Sequence, residues 1–521
     1  MKHAIRYAAI AALLGTAAPA ADFTWAVTTD PQTMDPHAVN SAPVLGFLNN
    51  VYEGLVRRGK DMTVEPALAT AWEPIGAGEG WRFTLRQGVT FHDGAAFDAE
   101  DVLFSYQRAS DEASDTRSWF APVSEVIVVD AYTVDFMTSA PNPLFPSSIA
   151  NWMMMDSGWA EANGTARPDK ENGNYATLNT NGTGAFQVTA REPGLRTVLE
   201  PFDGWWDVAE HNVTRAELTP IQNAATAVAA LLSGDVDFIN PVPIQDAARL
   251  AQDPNVQVIQ GIEARVIMLG FPHEAAALKY SSDTSDANPF ADARVRQAVG
   301  HAVNVPAILQ TIMRGNAEGV SQLVSPAMNG YSTGLAERPA FDPDRARALL
   351  AEAGYPDGFS FGLKCPNDRY LNDEAVCQAV TGMLAQVGLN ATLDAMPVQN
   401  YWPELRADNY DMYLLGWSPG TFDAEHPIRF LAATPNAEKK LGSWNFGGFS
   451  NARVDTLLPM IQSEIDAAKR QSMVDEVTGI LQDEVAYVPL HVQPLVWGTR
   501  SNIDLTQRPD NFFILRWVTV N

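Results

Sequence analysis

Short segments in which apolar and polar residues alternate recur along the chain, and this period of two predicts β-strands. The clearest are 23–27, 81–85, 125–129, 132–137, 236–239, 265–271, 362–364 and 410–414. Asp130 and Ala131 alone separate the third segment from the fourth, which predicts a hairpin.

Other segments repeat apolar residues at every third or fourth position and predict helices. These are a helix after Asp98 and helices over 224–232, 343–353, 373–387, 451–461 and 467–484. Asp98, Asp342 and Ser450 are the predicted N-caps, and Gly234 is a predicted helix end. Strand–helix–strand units mixed with hairpins predict an α/β protein, and 521 residues predict more than one domain.

The first twenty residues have the pattern of an export signal. Lys2 and Arg6 flank the start of the apolar stretch 7–14, and Ala18-Pro19-Ala20 has the small residues of a cleavage site. We therefore expect an exported protein whose mature chain begins near Ala21.

Acidic residues outnumber basic ones by 62 to 35, so the formal net charge is −27. A surface with this excess repels phosphate backbones and argues against nucleic-acid binding. Cys365 and Cys377 are the two cysteines. An oxidising compartment lets them form a disulfide, two buried free thiols are the alternative, and no metal site is expected from them.

The stretch 410–427 starts as a strand and ends in a polar cluster. Gly416-Trp417 is followed by a Pro-Gly turn and then by Asp423, Glu425 and His426. Two carboxylates and an imidazole have the groups of an acid–base site, but they are equally typical of the rim of a binding cleft. The sequence G-x-S-x-G at 358–362 follows a helix end and precedes a strand, the reverse of a nucleophile elbow.

Arg369 lies between the predicted strand 362–364 and the predicted helix 373–387. Ligands often bind at this position in open α/β sheets, and a guanidinium matches a carboxylate with two hydrogen bonds. The alternative is a surface salt bridge with Asp368 or Asp373.

A series of short motifs in a fixed order resembles the bacterial extracellular solute-binding proteins of family 5, the dipeptide, oligopeptide and nickel carriers of ABC importers. The motifs are TMDP (33–36), VYEGL (51–55), VEPALA (64–69), WRFTLRQGV (81–89), FHDG (91–94), GTGAF (182–186), VRQAV (295–299) and Gly416-Trp417.

The resemblance implies the α/β fold of type II periplasmic binding proteins, with two lobes joined by a hinge and one inserted domain. Behind a signal peptide over 1–20, domain I would comprise 21–55, 184–265 and 485–521. Domain II, the inserted domain, would be 56–183, and domain III would be 266–484.

The resemblance also implies ligand contacts. Arg369 would bind a carboxylate, and Leu415, Gly416 and Trp417 would lend their strand edge to a peptide main chain, with the Trp417 ring as an apolar wall and its N–H as a donor. The acid that pairs a peptide ammonium group in the family falls at Gly420 here. Asp423 would either take over that role or fix the turn.

We therefore expect a periplasmic substrate-binding protein, and not an enzyme. It would capture a peptide or similar small solute as a monomer without a cofactor. An inner-membrane ABC permease with its ATPase subunits would receive the solute. The alternatives are a secreted hydrolase that uses Asp423, Glu425 and His426, and a carrier of the same fold for nickel, haem or sugar.

Overall fold

A computed structural model describes residues 20–76, 78–281, 283–284 and 287–521. The predicted signal peptide lies outside the described residues apart from Ala20. Across the described ranges, no helix has both the length and the apolar character that a membrane span requires.

Nineteen strands lie within the described residues. They are β1 Ala21–Val27, β2 Val56–Arg58, β3 Val64–Pro66, β4 Ala69–Ile75, β5 Gly80–Leu85, β6 Val123–Asp130, β7 Thr133–Thr138, β8 Phe186–Glu192, β9 Arg196–Pro201, β10 Val213–Pro220, β11 Phe238–Asn240, β12 Val256–Gly270, β13 Glu318–Gly319, β14 Phe359–Pro366, β15 Leu389–Met396, β16 Met412–Trp417, β17 Tyr487–Arg500, β18 Ile503–Asp504 and β19 Thr519–Val520.

Fourteen α-helices accompany them in the same described ranges. They are α1 Ala42–Leu48, α2 Ala99–Ala109, α3 Phe145–Ser148, α4 Ser157–Ala162, α5 Ala224–Ser233, α6 Ile244–Leu250, α7 Ala293–Ala302, α8 Val305–Thr311, α9 Pro343–Glu352, α10 Asp373–Ala385, α11 Val398–Arg406, α12 Glu425–Pro427, α13 Ala452–Ser463 and α14 Ala467–Asp483.

The main sheet has 11 strands, and ten of them follow the order β15-β14-β16-β12-β17-β11-β1-β10-β9-β8, with β13 beside β17. We call the part that contains β1 and β8–β11 the first lobe, and the part that contains β14–β16 the second lobe. The strands β12 and β17 run through both. A mixed α/β architecture is therefore present, as predicted.

The antiparallel pair β12–β17 changes register where it passes between the lobes. Ile262 pairs with Pro494 on the first-lobe side, and Val266 pairs with Val492 on the second-lobe side. Residues 263–265 and Gln493 lie at this shift, which we call the hinge. The predicted domain boundary at 265 falls in the hinge, whereas the one at 485 lies before β17 begins.

A separate four-stranded sheet, β4-β5-β7-β6, forms the centre of the inserted region and packs on α2. Its core contains Phe83, Phe136 and Trp152, all fully buried. The inserted region is tied to the TMDP motif by Arg108, whose Nη1 and Nη2 donate to the two oxygens of buried Asp35 at 2.6 and 2.5 Å.

Several local predictions agree with the structure, and two differ. Asp98 caps α2 and Asp342 caps α9, as predicted, but the N-cap of α13 is Asn451 and not Ser450. The side chain of Asn451 accepts from two backbone N–H groups of the first turn, one residue later than predicted. The strand predicted over 265–271 is the second half of the 15-residue β12.

Cys365 at the end of β14 and Cys377 on α10 form a disulfide, with a Cα–Cα distance of 6.5 Å. Both residues are fully buried. The bond therefore joins the carboxyl end of a central strand to the helix that covers it.

We expect reduction of this disulfide to lower the free energy of unfolding by about 3 kcal/mol, because the closed loop of 12 residues then regains its freedom in the unfolded chain. Urea titrations with and without reductant measure the difference. The double variant Cys365→Ala/Cys377→Ala is the control and should not respond to reductant. Two free thiols in the oxidised protein would contradict the disulfide.

Candidate ligand-binding cleft

Both lobes direct the carboxyl ends of parallel strands towards the hinge. In the first lobe, β1 pairs in parallel with β10 and β11, and just after β11 the Val242 N–H donates to the Val496 carbonyl, three residues from Gln493. In the second lobe, Trp417 at the end of β16 pairs with Val266 beside the hinge. Ligands of open α/β sheets bind outside the carboxyl ends of the strands, so the cleft at the hinge is the candidate site.

Within the second lobe, the connections leave β14 and β16 in different directions. The chain runs from β14 through α10 to β15 on one side, and returns through α11 to β16 on the other side. The strands β14 and β16 pair at Leu363–Met412 and Lys364–Tyr413 and then part. This is the topological switch point of the lobe, where a crevice opens at the strand ends.

Arg369 lies at this crevice, on the loop after β14, and is exposed. The Asp373 carboxylate accepts from the backbone N–H groups of Arg369 and Tyr370 at 3.0 and 2.9 Å, which fixes the loop. The Asp368 carboxylate accepts instead from the Val398 N–H at 2.7 Å. Both acids of the salt-bridge alternative are therefore engaged by backbone, and no ion pair in the described part of the chain includes the Arg369 guanidinium.

Leu415, Gly416 and Trp417 form the end of β16 and pair with β12 through Met268, Ile267 and Val266. On the opposite side, the Tyr370 hydroxyl donates to the Gly416 carbonyl at 3.3 Å, and the Tyr401 hydroxyl donates to the Leu414 carbonyl at 2.5 Å. Of the strand edge that we expected a peptide to use, the Gly416 carbonyl is thus bound by Tyr370 in this conformation, and the neighbouring Leu414 carbonyl is bound by Tyr401.

The Trp417 ring lies in an aromatic cluster with His426, Phe430 and Trp444, at centroid distances of 5.4 to 5.7 Å. Its Nε1–H donates to His426 Nδ1 at 3.2 Å. The expected apolar wall is compatible with this packing, but the expected N–H donor is already used within the protein.

Asp423 has the turn-fixing role of the two roles expected for it. Its oxygens accept from Arg470 Nη1 and Nη2 at 2.9 and 2.6 Å, and also from the Asn329 side chain and the Glu425 N–H. Asp423 is 1% exposed. These bonds use both oxygens inside the second lobe and favour the turn-fixing role, and a contact of Asp423 with the ligand stays a prediction.

Asp423, Glu425 and His426 do not form an acid–base relay. Burial lowers the pKa of His426 to about 3, so the ring is neutral and accepts from Trp417. The Glu425 carboxylate accepts from Gln462 and pairs with Arg429. The arrangement that the hydrolase alternative requires is absent from these three side chains, because each of them is held by a different partner.

The first lobe contributes a cavity that sequence analysis missed. Its volume is about 180 Å³, and its lining includes Trp25, Thr28, Phe47, Asn240 and Asn511. A complete ligand pocket usually exceeds about 300 Å³, so this cavity suits part of a ligand. It lies at the carboxyl ends of β1 and β11, and the strand predicted over 23–27 is the signal that points to it.

Hydrogen bonds connect the loop of Arg369 to the hinge. Gln493 accepts from the Leu371 N–H at 3.3 Å and donates to the Glu263 carboxylate at 2.5 Å. Glu263 also pairs with Arg265 at 3.0 Å, and the Arg265 guanidinium lies 6.0 Å from the centroid of the Tyr370 ring. Sequence analysis identified none of these three hinge residues.

The inserted region touches the second lobe across the cleft. Arg58 Nη2 donates to the Thr421 carbonyl at 3.0 Å, and Ser147 Oγ donates to the same oxygen at 3.2 Å. The Arg58 guanidinium lies 4.7 Å from the centroid of the Phe422 ring. The inserted region and the second lobe are therefore in contact in this conformation.

Comparison with known proteins agrees with this architecture. Residues 63–439 match the model of the bacterial extracellular solute-binding proteins, family 5. The chain belongs to this family. It is a solute-binding protein, and its two-lobed fold with an inserted domain is the type II periplasmic binding protein fold.

Two relatives of this family 5 chain are described as glutathione-binding protein GsiB. The one from Salmonella paratyphi A is 27% identical over 491 residues, covering 93% of this chain and 91% of the relative. The one from Escherichia coli K12 is 26% identical over 504 residues, covering 95% and 93%.

Solved structures of family 5 type superpose on nearly the whole chain. HbpA2 from Haemophilus parasuis has a TM-score of 0.83 at 21% identity and covers 96% of this chain and 100% of its own. DppA from Helicobacter pylori, in complex with the peptide STSA, has a TM-score of 0.74 at 22% identity, with 96% and 98% coverage. Identities this low support the fold alone.

We expect Asp423→Ala to lower the free energy of unfolding by about 3–5 kcal/mol, because buried Arg470 then loses its partner. Chemical denaturation measures this change. The control is Glu476→Ala, which removes the partner of exposed Arg453 and should cost less than about 1 kcal/mol. Equal effects of the two substitutions would show that Asp423 does not fix the turn.

The free energy of unfolding should also fall when the pH is lowered from 7.5 to 5.5. Burial lowers the pKa of five histidines to about 3 or 4, namely His37, His92, His273, His426 and His491. Because each folded pKa lies below its unfolded value, the unfolded chain binds more protons as the pH falls through 6.5, and each group then costs roughly 1.4 kcal/mol over these two pH units. Thermal melts across this range check the effect, and a constant Tm would contradict it.

Proposed function

We propose that this family 5 protein is the periplasmic substrate-binding component of an ABC importer. It captures a short peptide or similar small solute with a carboxylate group in the cleft between the lobes. The solute leaves chemically unchanged for the membrane permease and its ATPase subunits. The protein acts as a monomer without a cofactor, and its mature chain begins near Ala21.

The environment of the Arg369 guanidinium is the observation that supports a carboxylate group on the ligand. The guanidinium is exposed at the switch-point crevice, and its neighbouring acids are bound to backbone N–H groups. In a chain with a net charge of −27, a cation left without an acidic partner at the strand ends is a position suited to an anionic group. A charged hydrogen bond of this type contributes about 1.5–3 kcal/mol.

The division into domains supports a closing cleft. We assign 21–55, 184–265 and 485–521 to domain I, 56–183 to domain II and 266–484 to domain III, with the hinge at 263–265 and Gln493. Closure over the ligand excludes water, which strengthens the polar contacts inside.

We expect Arg369→Ala to weaken binding of a carboxylate ligand more than tenfold. Isothermal titration calorimetry with glutathione and with dipeptides measures it, since relatives of this chain are glutathione-binding proteins. The control is Arg345→Ala on α9, which removes an exposed guanidinium paired with Glu352 and should leave the affinity unchanged.

Unchanged affinity in Arg369→Ala would show that the carboxylate binds elsewhere. X-ray scattering of the same samples provides a second readout, because a ligand held between the lobes should reduce the radius of gyration of the wild type.

A further inference from the structure

The end of β16 is an edge of the sheet at the cleft. Beyond Tyr413 no strand of the described residues pairs with β16 on the β14 side. A free strand edge presents backbone groups to which a peptide main chain can add, as in strand addition to a sheet. The edge from Leu414 to Trp417 is therefore the natural place for an extended ligand.

Tyr370 covers this edge at Gly416. Its ring lies so close that a Cβ added at Gly416 would be 2.5 Å from Tyr370 Cε1 and 2.8 Å from Cζ. Its hydroxyl donates to the Gly416 carbonyl at 3.3 Å. The absence of a side chain at position 416 is thus what admits the ring over this face of β16, beside Ile267 Cδ1. The hydroxyl takes the carbonyl that an added strand would use.

Tyr370 is held in this position from several sides. It is 6% exposed and packs in the apolar core of the second lobe. Its backbone N–H donates to Asp373, and the next N–H, that of Leu371, donates to Gln493 at the hinge. The disulfide between Cys365 and Cys377 joins the strand before this loop to the helix after it. These contacts therefore fix Tyr370 over the end of β16 as a permanent part of the site.

The Arg369 guanidinium lies next to the cover, 5.4 Å from the centroid of the Tyr370 ring. A ligand whose carboxylate reaches Arg369 would therefore lie beside Tyr370 and the Gly416 carbonyl that its hydroxyl binds. Its main chain can pair with β16 at Gly416 only if Tyr370 releases that carbonyl.

We propose that Tyr370 determines the specificity of the cleft by limiting ligand length. The site takes short molecules anchored by a carboxylate at Arg369, and Tyr370 excludes longer peptides that would extend along β16. This inference rests on the proposed function, because it concerns the same cleft and the same class of ligand.

The test compares affinities for alanine peptides of two to five residues and for glutathione, measured by calorimetry on the purified mature protein. We expect the wild type to bind dialanine or trialanine at least tenfold more tightly than pentaalanine. Tyr370→Ala should reduce this ratio at least tenfold. Tyr370→Phe should reduce the ratio less than Tyr370→Ala, because the ring stays over Gly416 while the Gly416 carbonyl is released.

Tyr280→Ala is the matched control. The Tyr280 ring also lies over a strand glycine, Gly362, where an added Cβ would be 2.9 Å from Tyr280 Cβ, but its hydroxyl donates to the Asn409 carbonyl and not to β16. This variant should keep the wild-type length preference. If Tyr370→Ala does not show a cooperative melt, Tyr370→Leu replaces it, since leucine keeps apolar packing and lacks the far half of the ring.

The outcomes distinguish a failure of the role proposed for Tyr370 from a failure of the proposed function. An identical length preference in the wild type and in Tyr370→Ala or Tyr370→Leu overturns the role of Tyr370 and leaves the proposed function standing. A wild type that prefers pentaalanine overturns it as well. If neither the wild type nor any variant binds a peptide or glutathione, the proposed function fails, and the inference fails with it.

Discussion

The backbone pairing of β12 with β17 is the constraint on which the two lobes depend. Both strands pass from one lobe to the other, so the lobes share one sheet and are not two bodies joined by flexible linkers. Two register shifts interrupt the ladder, and the larger one, between Ile262 and Val266, lies between the lobes. Bending is therefore concentrated where the ladder is weakest, and the strand ends of both lobes face that place.

The loop after β14 is a second restrained part of the structure. Its position is set by a carboxylate that binds backbone, by a disulfide behind it and by a glutamine from the hinge. Such support is typical of binding sites in which polar groups are placed before the ligand arrives, which lowers the entropy lost on binding. The exposed guanidinium of Arg369 is thus carried by a loop whose backbone is restrained.

Much of the architecture was predictable because its signals are local. Asp98 and Asp342 each cap the first turn of the helix that follows them. The strand over 23–27 is recognisable from the alternation of apolar and polar residues within it. The long strand β17 was not predicted, because Pro489 and Pro494 interrupt it and because burial on both faces removes the alternation of apolar and polar residues. Within the candidate site, the position of Arg369 was predictable from the strand and helix around it.

The contacts that polar groups make with residues distant in the chain could not be predicted from the sequence. Asp423 meets Arg470 across 47 positions, and Tyr370 meets Gly416 across 46. These contacts decide that Asp423 fixes a turn and that the edge of β16 is covered. They depend on how α14 and the loop after β14 pack on the sheet, which no local pattern contains.

The contact of Arg58 with Thr421 and Phe422 has a consequence for measured affinity. It joins the inserted region to the second lobe through protein groups alone, so it would favour a shut form whether or not cargo is present. An observed dissociation constant is the intrinsic constant divided by the fraction of molecules in the competent form. A residue remote from the cargo can therefore set how tightly the cargo is held, and variation at position 58 would retune uptake without altering what is recognised.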